Sequence, residues 1–258
     1  MGILNYTPDS FSDGGIFNSP KKGMIQIEKM LSEGADIIDI GAISSKPGSS
    51  LLDSKKEKER LKPLLSEINK NFNNYTFSLD TFRSEIADWA VNEYNISIIN
   101  DISAGELDPN MYKTIGKLQV PYIIMHMQGT PRDMQKSPSY KNITLDIIKY
   151  FAKKIELLKS ESVHDIIIDP GFGFGKTINH NYQLIKELES FKILEKLLLV
   201  GISRKSMIQK VLDTNTDNSL NGTTILNTIS IANGANIIRV HDVKEATQIV
   251  KIFNELEK

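Results

Sequence analysis

Residues 165–177 read DIIIDPGFGFGKT, and this stretch carries the arrangement that decides the fold. An apolar, β-branched run ends at Asp169-Pro170, and a glycine-rich loop follows it before Lys176-Thr177. A run that is apolar at nearly every position is typical of a parallel strand covered on both faces. The stretch therefore predicts a buried strand whose polar end opens into a loop and then a helix.

The glycines of this loop suggest a phosphate-binding motif, but the spacing fits neither of the two common ones. A P-loop requires a glycine five residues before Gly175, and the chain has Pro170 there. The dinucleotide motif G-x-G-x-x-G, begun at Gly171, requires a third glycine where the chain has Lys176. We therefore expect no nucleotide loop, and we expect Lys176 and Thr177 to begin the path into the next helix.

Similar apolar runs recur along the chain. The eight runs are GILN (2–5), DIIDIG (36–41), TFSLD (76–80), SIIND (97–101), YIIMH (122–126), DIIIDP (165–170), LLLVGIS (197–203) and NIIRVHD (236–242). Helical spacing lies between them and is clearest over residues 143–160. The mean step between runs is about 34 residues, the length of a βα unit. We predict an α/β protein with a single (β/α)8 TIM barrel over residues 1–258, the alternative being an open doubly wound sheet.

Nearly every run ends in polar or ionisable residues. These are Asn5, Asp39, Asp80, Asn100-Asp101, His126, Asp169, Ser203-Arg204-Lys205, and Arg239 with His241-Asp242. In a closed parallel barrel all strand C-termini meet at one rim, so we expect a shared site there. For Asp101 and Asp242 alone, capping of the following helix is the favoured role.

Composition excludes several classes of function. A formal net charge of -1 gives no reason to expect nucleic acid or an anionic membrane as partner. The chain has no cysteine, which excludes disulfides and a thiolate nucleophile. No apolar run approaches membrane-spanning length and no signal peptide is visible, so we expect a cytoplasmic enzyme. Two of the four histidines, His164 and His180, are predicted to be solvated in loops.

The polar rim combines acids and bases. Asp80, Asn100 and Asp169 can together form hydrogen bonds with a planar ring that carries amino and NH groups. Lys205, Arg239 and His241 come from the seventh and eighth runs, where barrels often bind phosphate. Two long loops, residues 5–15 and 41–50, are candidate lids, although plain strand-to-helix turns are an equal alternative. Because G-x-S-x-G and H-E-x-x-H are absent, we expect catalysis by positioning and charge rather than by a covalent nucleophile.

Seven motifs in order complete the picture. They are MGILNYTPDSFSDGG, SLDTFRSE, IINDISAG, HMQGTP, IIDPGFGFGKT, GISRKSM and RVHDV. This set, which covers the chain end to end, closely resembles the dihydropteroate synthase family. The resemblance implies condensation of 6-hydroxymethyl-7,8-dihydropterin diphosphate with p-aminobenzoate, with Mg²⁺ bound, by a dissociative path. It also implies a homodimer formed through the later helices.

The resemblance implies roles for particular residues. Pterin binding and catalysis fall to Asp80, Asn100, Asp169 and Lys205, and Asp13 orders the first loop. Asn5 is placed at Mg²⁺ and the diphosphate. The remaining substrate-binding set is Phe11, Ser45, Lys46, Pro47, Phe174, Gly201, Ser206, Arg239 and His241. Lys46 departs from the arginine of many relatives, which removes a bidentate donor and predicts altered p-aminobenzoate or sulfonamide affinity.

Two alternatives remain beside this interpretation. A pterin-dependent methyltransferase would share the pterin-binding acids but not the PDSFSDGG and SRKS stretches. A non-catalytic pterin-binding paralogue would be expected to lose some of the rim residues, and the chain keeps them.

Overall fold

The computed structural model describes residues 1–7, 19–43, 53–130, 133–256 and 258. The strands are β1 (Gly2–Asn5), β2 (Ile37–Gly41), β3 (Thr76–Asp80), β4 (Ile98–Asp101), β5 (Tyr122–Met125), β6 (Ile166–Asp169), β7 (Leu197–Val200) and β8 (Ile237–Ile238). The α-helices are α1 (Pro20–Ser32), α2 (Ser54–Asn71), α3 (Ser84–Tyr94), α4 (Met111–Leu118), α5 (Ile143–Ser160), α6 (Ile178–Lys186), α7 (Ser206–Val211), α8 (Leu220–Ala232) and α9 (Val243–Leu256). A 3-10 helix covers Leu188–Leu194.

The eight strands form one parallel sheet in chain order, and its two ends meet. The Ile3 amide donates to the Val240 carbonyl at 2.9 Å, and the Val240 amide donates to the Met1 carbonyl at 2.9 Å. These bonds, with the Gly2–Val240 bridge, close the sheet into a barrel. The predicted (β/α)8 TIM barrel is confirmed, and the open doubly wound alternative is wrong.

The helices begin close to where hydrophobic spacing places them. The stretch predicted over 143–160 is helix α5, and its apolar stripe is buried. Asn142 starts this helix by accepting a hydrogen bond from the Leu145 amide, which satisfies one of the free N–H groups of the first turn. Several strands are shorter than the apolar runs that predict them. At the end of the last run, for example, the His241 amide donates to the Ser203 hydroxyl instead of pairing in the sheet.

The histidine predictions have mixed outcomes. His164 is exposed in the connection before β6, as predicted. His180, however, lies inside helix α6, so the prediction of a loop is wrong. Its Nδ1 accepts from the Thr177 amide at 3.2 Å while Thr177 Oγ1 accepts from the His180 amide at 3.1 Å. The two residues form a reciprocal cap of the kind usually made with glutamate at that position, which hides the signal from sequence patterns.

Inside the barrel an apolar floor lies beneath a polar layer. The floor is a buried cluster of Ile98, Ile123, Ile167 and Leu199, against which Ile37 and Ile237 pack. Side chains two residues apart on a strand share a face, so the next layer is set by the residues two positions further on. These are Asp39, Asn100, Met125, Asp169, Gly201 and Arg239. The floor closes one end of the barrel to water, and the polar layer above it faces the mouth.

Candidate active site

The polar layer is organised around Asp39, which is fully buried in the middle of β2. Its Oδ2 accepts hydrogen bonds from Asn100 Nδ2 at 2.9 Å and from Arg239 Nε at 2.7 Å. Its Oδ1 is buried and has no hydrogen-bond partner among the described residues. The sequence alone identifies Asp39 only as a polar residue near the end of a strand. The signal that could have placed it in the site is its position two residues after Ile37 of the floor.

Arg239 links Asp39 to a second carboxylate. Its Nη2 donates to Asp80 Oδ2 at 3.3 Å. Burial opposes the charge on Arg239, but Asp39 and Asp80 outweigh it and raise the pKa of the guanidinium. Burial and the neighbouring Asp39 carboxylate raise the pKa of Asp80 to about 7, against the opposing effect of Arg239. This part of the mouth therefore holds two acids and one permanently charged guanidinium, and Asp80 changes protonation near neutral pH.

A second acid–base pair lies on the β6 and β7 side. Asp169 Oδ1 accepts from the Gly171 amide at 2.8 Å. Burial raises the pKa of Asp169, and the Lys205 ammonium is the strongest influence in the opposite direction. Burial lowers the pKa of Lys205 to about 8, and Asp169 acts against this shift. Lys205 Nζ also donates to the Phe172 carbonyl and lies 4.6 Å from the ring centroid of Phe174.

In the glycine-rich loop after β6, four consecutive backbone carbonyls accept hydrogen bonds from side chains. Those of residues 172–175 accept, in order, from Lys205, Gln135, Lys176 and Tyr140. Gly171 has a φ of +73°, and a Cβ there would lie 2.0 Å from the His126 carbonyl oxygen. The glycine is therefore required by close packing of this loop against the chain that leaves β5. No phosphate cradle is needed to explain it, in agreement with the failed motif counts.

Lys176 does more than lead into α6. Thr177 caps that helix as expected, but the Lys176 side chain turns inward and is 4% exposed. Its Nζ donates to the carbonyls of Phe174 at 2.9 Å and His126 at 3.2 Å, and lies 3.0 Å from His126 Nδ1. A lysine directly before a helix is ordinarily solvated, so the sequence carried no sign of this burial.

Apolar side chains line the part of the mouth above β3 to β6. They are Phe82, Ile102, Met125, Met127 and Met134, with Ile43, Leu107 and Phe174 packed against them. Each of the first four lies at or just after the end of a strand. An apolar wall beside an ordered set of hydrogen-bonding groups is the usual composition of a pocket for a flat heterocycle.

The other predicted residues share this rim. His241 Nδ1 lies 3.1 Å from Ser203 Oγ, and Ser206 begins α7 directly after Lys205. Asn5 ends β1 opposite Gly41, which is itself opposite Asp80. The structure therefore brings all described members of the predicted set to one barrel mouth.

The two strand-end aspartates set apart as helix caps have different contacts. Asp101 accepts from the amides of Ser103 and Gly105 and from the Tyr122 hydroxyl, so it shapes the turn directly after β4, well before α4 begins at Met111. The capping role is wrong for this residue, because the chain makes a tight turn before the helix. Asp242 does precede α9 directly, and both its carboxylate oxygens accept from Arg204.

Five predicted residues lie outside the described residues: Phe11, Asp13, Ser45, Lys46 and Pro47. Within the described ranges, no three histidine, aspartate or glutamate side chains are grouped to hold a metal ion. In the same ranges, no helix is both long and apolar enough to cross a membrane.

Comparison with known proteins gives a consistent result. The model of the family described as pterin binding enzyme matches residues 1–241. The dihydropteroate synthase of Haemophilus influenzae is 41% identical over 98% of the chain and 92% of the relative. The Yersinia pestis dihydropteroate synthase, solved in a sulfonamide drug complex, superimposes with a TM-score of 0.95 at 37% identity, covering 99% and 93% of the two chains. The Xanthomonas albilineans enzyme, solved with 4-aminobenzoic acid, gives a TM-score of 0.90 at 29% identity, covering 99% and 92%.

Proposed function

The chain belongs to the pterin-binding enzymes and, within them, to the dihydropteroate synthase family, and on this premise we propose which residues of its barrel mouth carry the reaction. The protein is a transferase of folate biosynthesis. It condenses 6-hydroxymethyl-7,8-dihydropterin diphosphate with p-aminobenzoate, giving 7,8-dihydropteroate and diphosphate. Because the Yersinia pestis relative is solved in a sulfonamide drug complex, we propose that sulfonamides also bind this protein.

The proposed pterin site consists of Asp80, Asn100, Asp169 and Lys205. The observation that supports it best is their convergence above the apolar floor, next to the wall that contains Phe174. The pterin ring presents amino and NH donors, which the two carboxylates accept, while Asn100 can donate or accept. Lys205 supplies a donor to a ring acceptor once it exchanges its present bond with the Phe172 carbonyl.

The proposed diphosphate site lies beside it, at Arg239 and His241, with Gly201 and Ser206 lining the mouth next to them. Arg239 is anchored by Asp39 through Nε, so its orientation is fixed before substrate arrives. Preorganised cations at a departing anion lower the barrier because no reorganisation is required during the reaction. The proposed role of Ser45 and Lys46 extends this site from the second loop.

The proposed Mg²⁺ ligand on the chain is Asn5. Mg²⁺ often takes few protein ligands and completes its shell with water and substrate phosphates. Asn5 would offer one amide oxygen at the rim, and the diphosphate and water would supply the other ligands. Bound there, the ion would neutralise charge on the leaving group.

The chemistry requires positioning more than proton transfer. The bond between the exocyclic carbon and the diphosphate oxygen breaks, and its electron pair leaves with the diphosphate. The neutral arylamine nitrogen then forms the new C–N bond and releases one proton to solvent. In the proposed arrangement Asp80, Asn100 and Asp169 hold the electron-rich ring, Arg239 and His241 hold the leaving group, and Phe174 orients the arylamine.

A homodimer and a cytoplasmic location are further proposals. The outer faces of α7 and α8 and the turn that ends α7 expose large apolar side chains, namely Val211, Leu212, Ile225 and Ile229. Exposed apolar groups on neighbouring helices are a common composition for a subunit interface. Analytical ultracentrifugation at several concentrations tests the dimer, and a monomer at all of them would contradict it.

The residue assignments are tested with Asp169→Asn. The unsubstituted protein should release diphosphate only when the pterin diphosphate, p-aminobenzoate and Mg²⁺ are all present. Asp169→Asn should lose pterin binding, measured by calorimetry, while its circular dichroism stays unchanged. Asp165→Asn, an exposed aspartate in the same apolar run, is the matched control and should bind normally. Unchanged pterin affinity in Asp169→Asn would refute the proposed site.

A further inference from the structure

We propose that Lys176 is a positioning residue of this enzyme, whose buried ammonium fixes the glycine-rich loop and keeps a positive charge behind Asp169. The inference rests on the proposed role of Asp169 in pterin binding. It assigns a function to a side chain that is almost completely enclosed and that contacts the proposed arylamine site only through the backbone of Phe174.

The contacts of Lys176 join two separate rim segments. Its own segment follows β6, whereas two of its three acceptors, the carbonyl and Nδ1, belong to His126 directly after β5. The third acceptor is the Phe174 carbonyl, two residues earlier in the loop. A buried ammonium needs its three donors satisfied, and here all three acceptors are neutral. Among the described residues, the charge is therefore stabilised by neutral dipoles, with no carboxylate in contact.

This arrangement reaches the proposed pterin residues through the backbone. The His126 amide donates to the Asp169 carbonyl at 3.0 Å, so the residue that receives Lys176 also pairs with the end of β6. The Phe174 peptide is fixed by Lys176 while its ring packs on the apolar wall. Movement of Lys176 would thus displace Phe174 and loosen the connection beside Asp169.

The cations near Asp169 show why the charge of Lys176 matters to that carboxylate. Burial raises the pKa of Asp169, and three cations lower it: Lys205 most, then Arg239, then Lys176. The hydrogen bond from the Gly171 amide also lowers it, by less than Lys205 and by more than Arg239. Arg239 is already paired with Asp39 and Asp80. Among the described residues, Lys205 and Lys176 are therefore the cations near Asp169 that form no ion pair with another carboxylate.

Three titratable side chains lie near Lys176, and the pKa shift of each favours its neutral form. Burial, followed by the charge of Lys176, lowers the pKa of His126 to about 2, so its ring is neutral and can accept. His180 has a lowered pKa, through partial burial and then Lys176, and burial raises the pKa of Tyr140 above its ordinary value. Burial lowers the pKa of Lys176 itself to about 7, with Asp169 opposing. Below that pH the ammonium is charged and supports the Asp169 carboxylate.

The test compares Lys176→Met with Tyr140→Phe. Both variants remove a cap from one of two adjacent carbonyls of the same loop, but only the first removes a charge. We follow the titration of Asp169 itself by NMR, with aspartate ¹³C-labelled at Cγ and Asp169→Asn to assign the signal. Lys176→Met should move its midpoint upward by about 0.5–1 pH unit. Tyr140→Phe should leave the midpoint in place, although both variants can raise KM for p-aminobenzoate.

An unmoved Asp169 midpoint in folded Lys176→Met, or an equal shift in Tyr140→Phe, would overturn the proposal. If the unsubstituted protein showed no turnover, the proposed function would be refuted. That result differs from one that refutes only the role of Lys176. A reciprocal experiment keeps Lys176 in place in case its replacement prevents folding. With lysine ¹³C-labelled at Cε, NMR should show that Asp169→Asn lowers the titration midpoint of Lys176, because the opposing carboxylate is gone. An unchanged midpoint would also overturn the proposal.

Discussion

The Asp39–Arg239 pair offers a quantitative test of how the mouth is built. Asp39 Oδ2 accepts two hydrogen bonds, one of them from a cation, and the residue is fully buried. Removing one partner of a buried ion pair costs about 3–5 kcal/mol of unfolding free energy. Because the Arg239 side chain is 21% exposed and keeps Asp80, we expect about 3 kcal/mol for Asp39→Asn. Arg239→Met leaves the buried Asp39 and the partly exposed Asp80 without their cation and should cost about 3–5 kcal/mol.

The double variant should cost less than the sum, since it leaves neither the cation nor the central acid unpaired. We expect an interaction free energy of about 1.5–3 kcal/mol from urea denaturation at pH 8. The single tryptophan, Trp89, is 5% exposed and serves as the fluorescence probe. The exposed Lys70–Glu67 pair at 2.9 Å is the control cycle and should give an interaction energy near zero. Additive costs for Asp39 and Arg239 would refute the role of Asp39 as the anchor of Arg239.

Three further outcomes are expected. Gly171→Ala should destabilise the protein by at least about 1 kcal/mol in urea and lower turnover, because a Cβ would overlap the His126 carbonyl at a φ of +73°; wild-type stability would contradict the packing argument. Since the folded pKa of Asp80 is raised to about 7, its ionisation destabilises the folded state progressively from about pH 4 to pH 7. Asp80→Asn should therefore gain stability relative to wild type as pH rises through that window, and a constant difference would show that Asp80 is not shifted. Lys46→Arg should change KM for p-aminobenzoate or the sulfonamide inhibition constant while turnover is retained, and identical constants would show that the fork of arginine is not used there.

The barrel and its mouth were predictable because they follow from periodicity. Apolar runs at βα spacing fix the strand order, and polar residues at their ends fix the rim. The features that the sequence did not predict are the buried positions of individual side chains. Asp39 and Lys176 carry no local pattern that distinguishes a buried ionised group from a solvated one. Their roles come from partners 200 and 50 residues away in sequence, Arg239 and His126, which only the closed barrel brings into contact.

The β6 loop also constrains the order in which the molecule becomes functional. Its four carbonyls are held by side chains at 135, 140, 176 and 205, so three consecutive βα units must be in place before the loop reaches its final shape. We therefore expect the loop to order after these units have docked, and a chain that ends before residue 205 would lack the Lys205 contact. In hydrogen-exchange terms, protection of the Gly173 amide, bonded to Asn181 of α6, would report that the loop has docked on this helix. The stretch that reveals the fold in the sequence would then be among the last to form it.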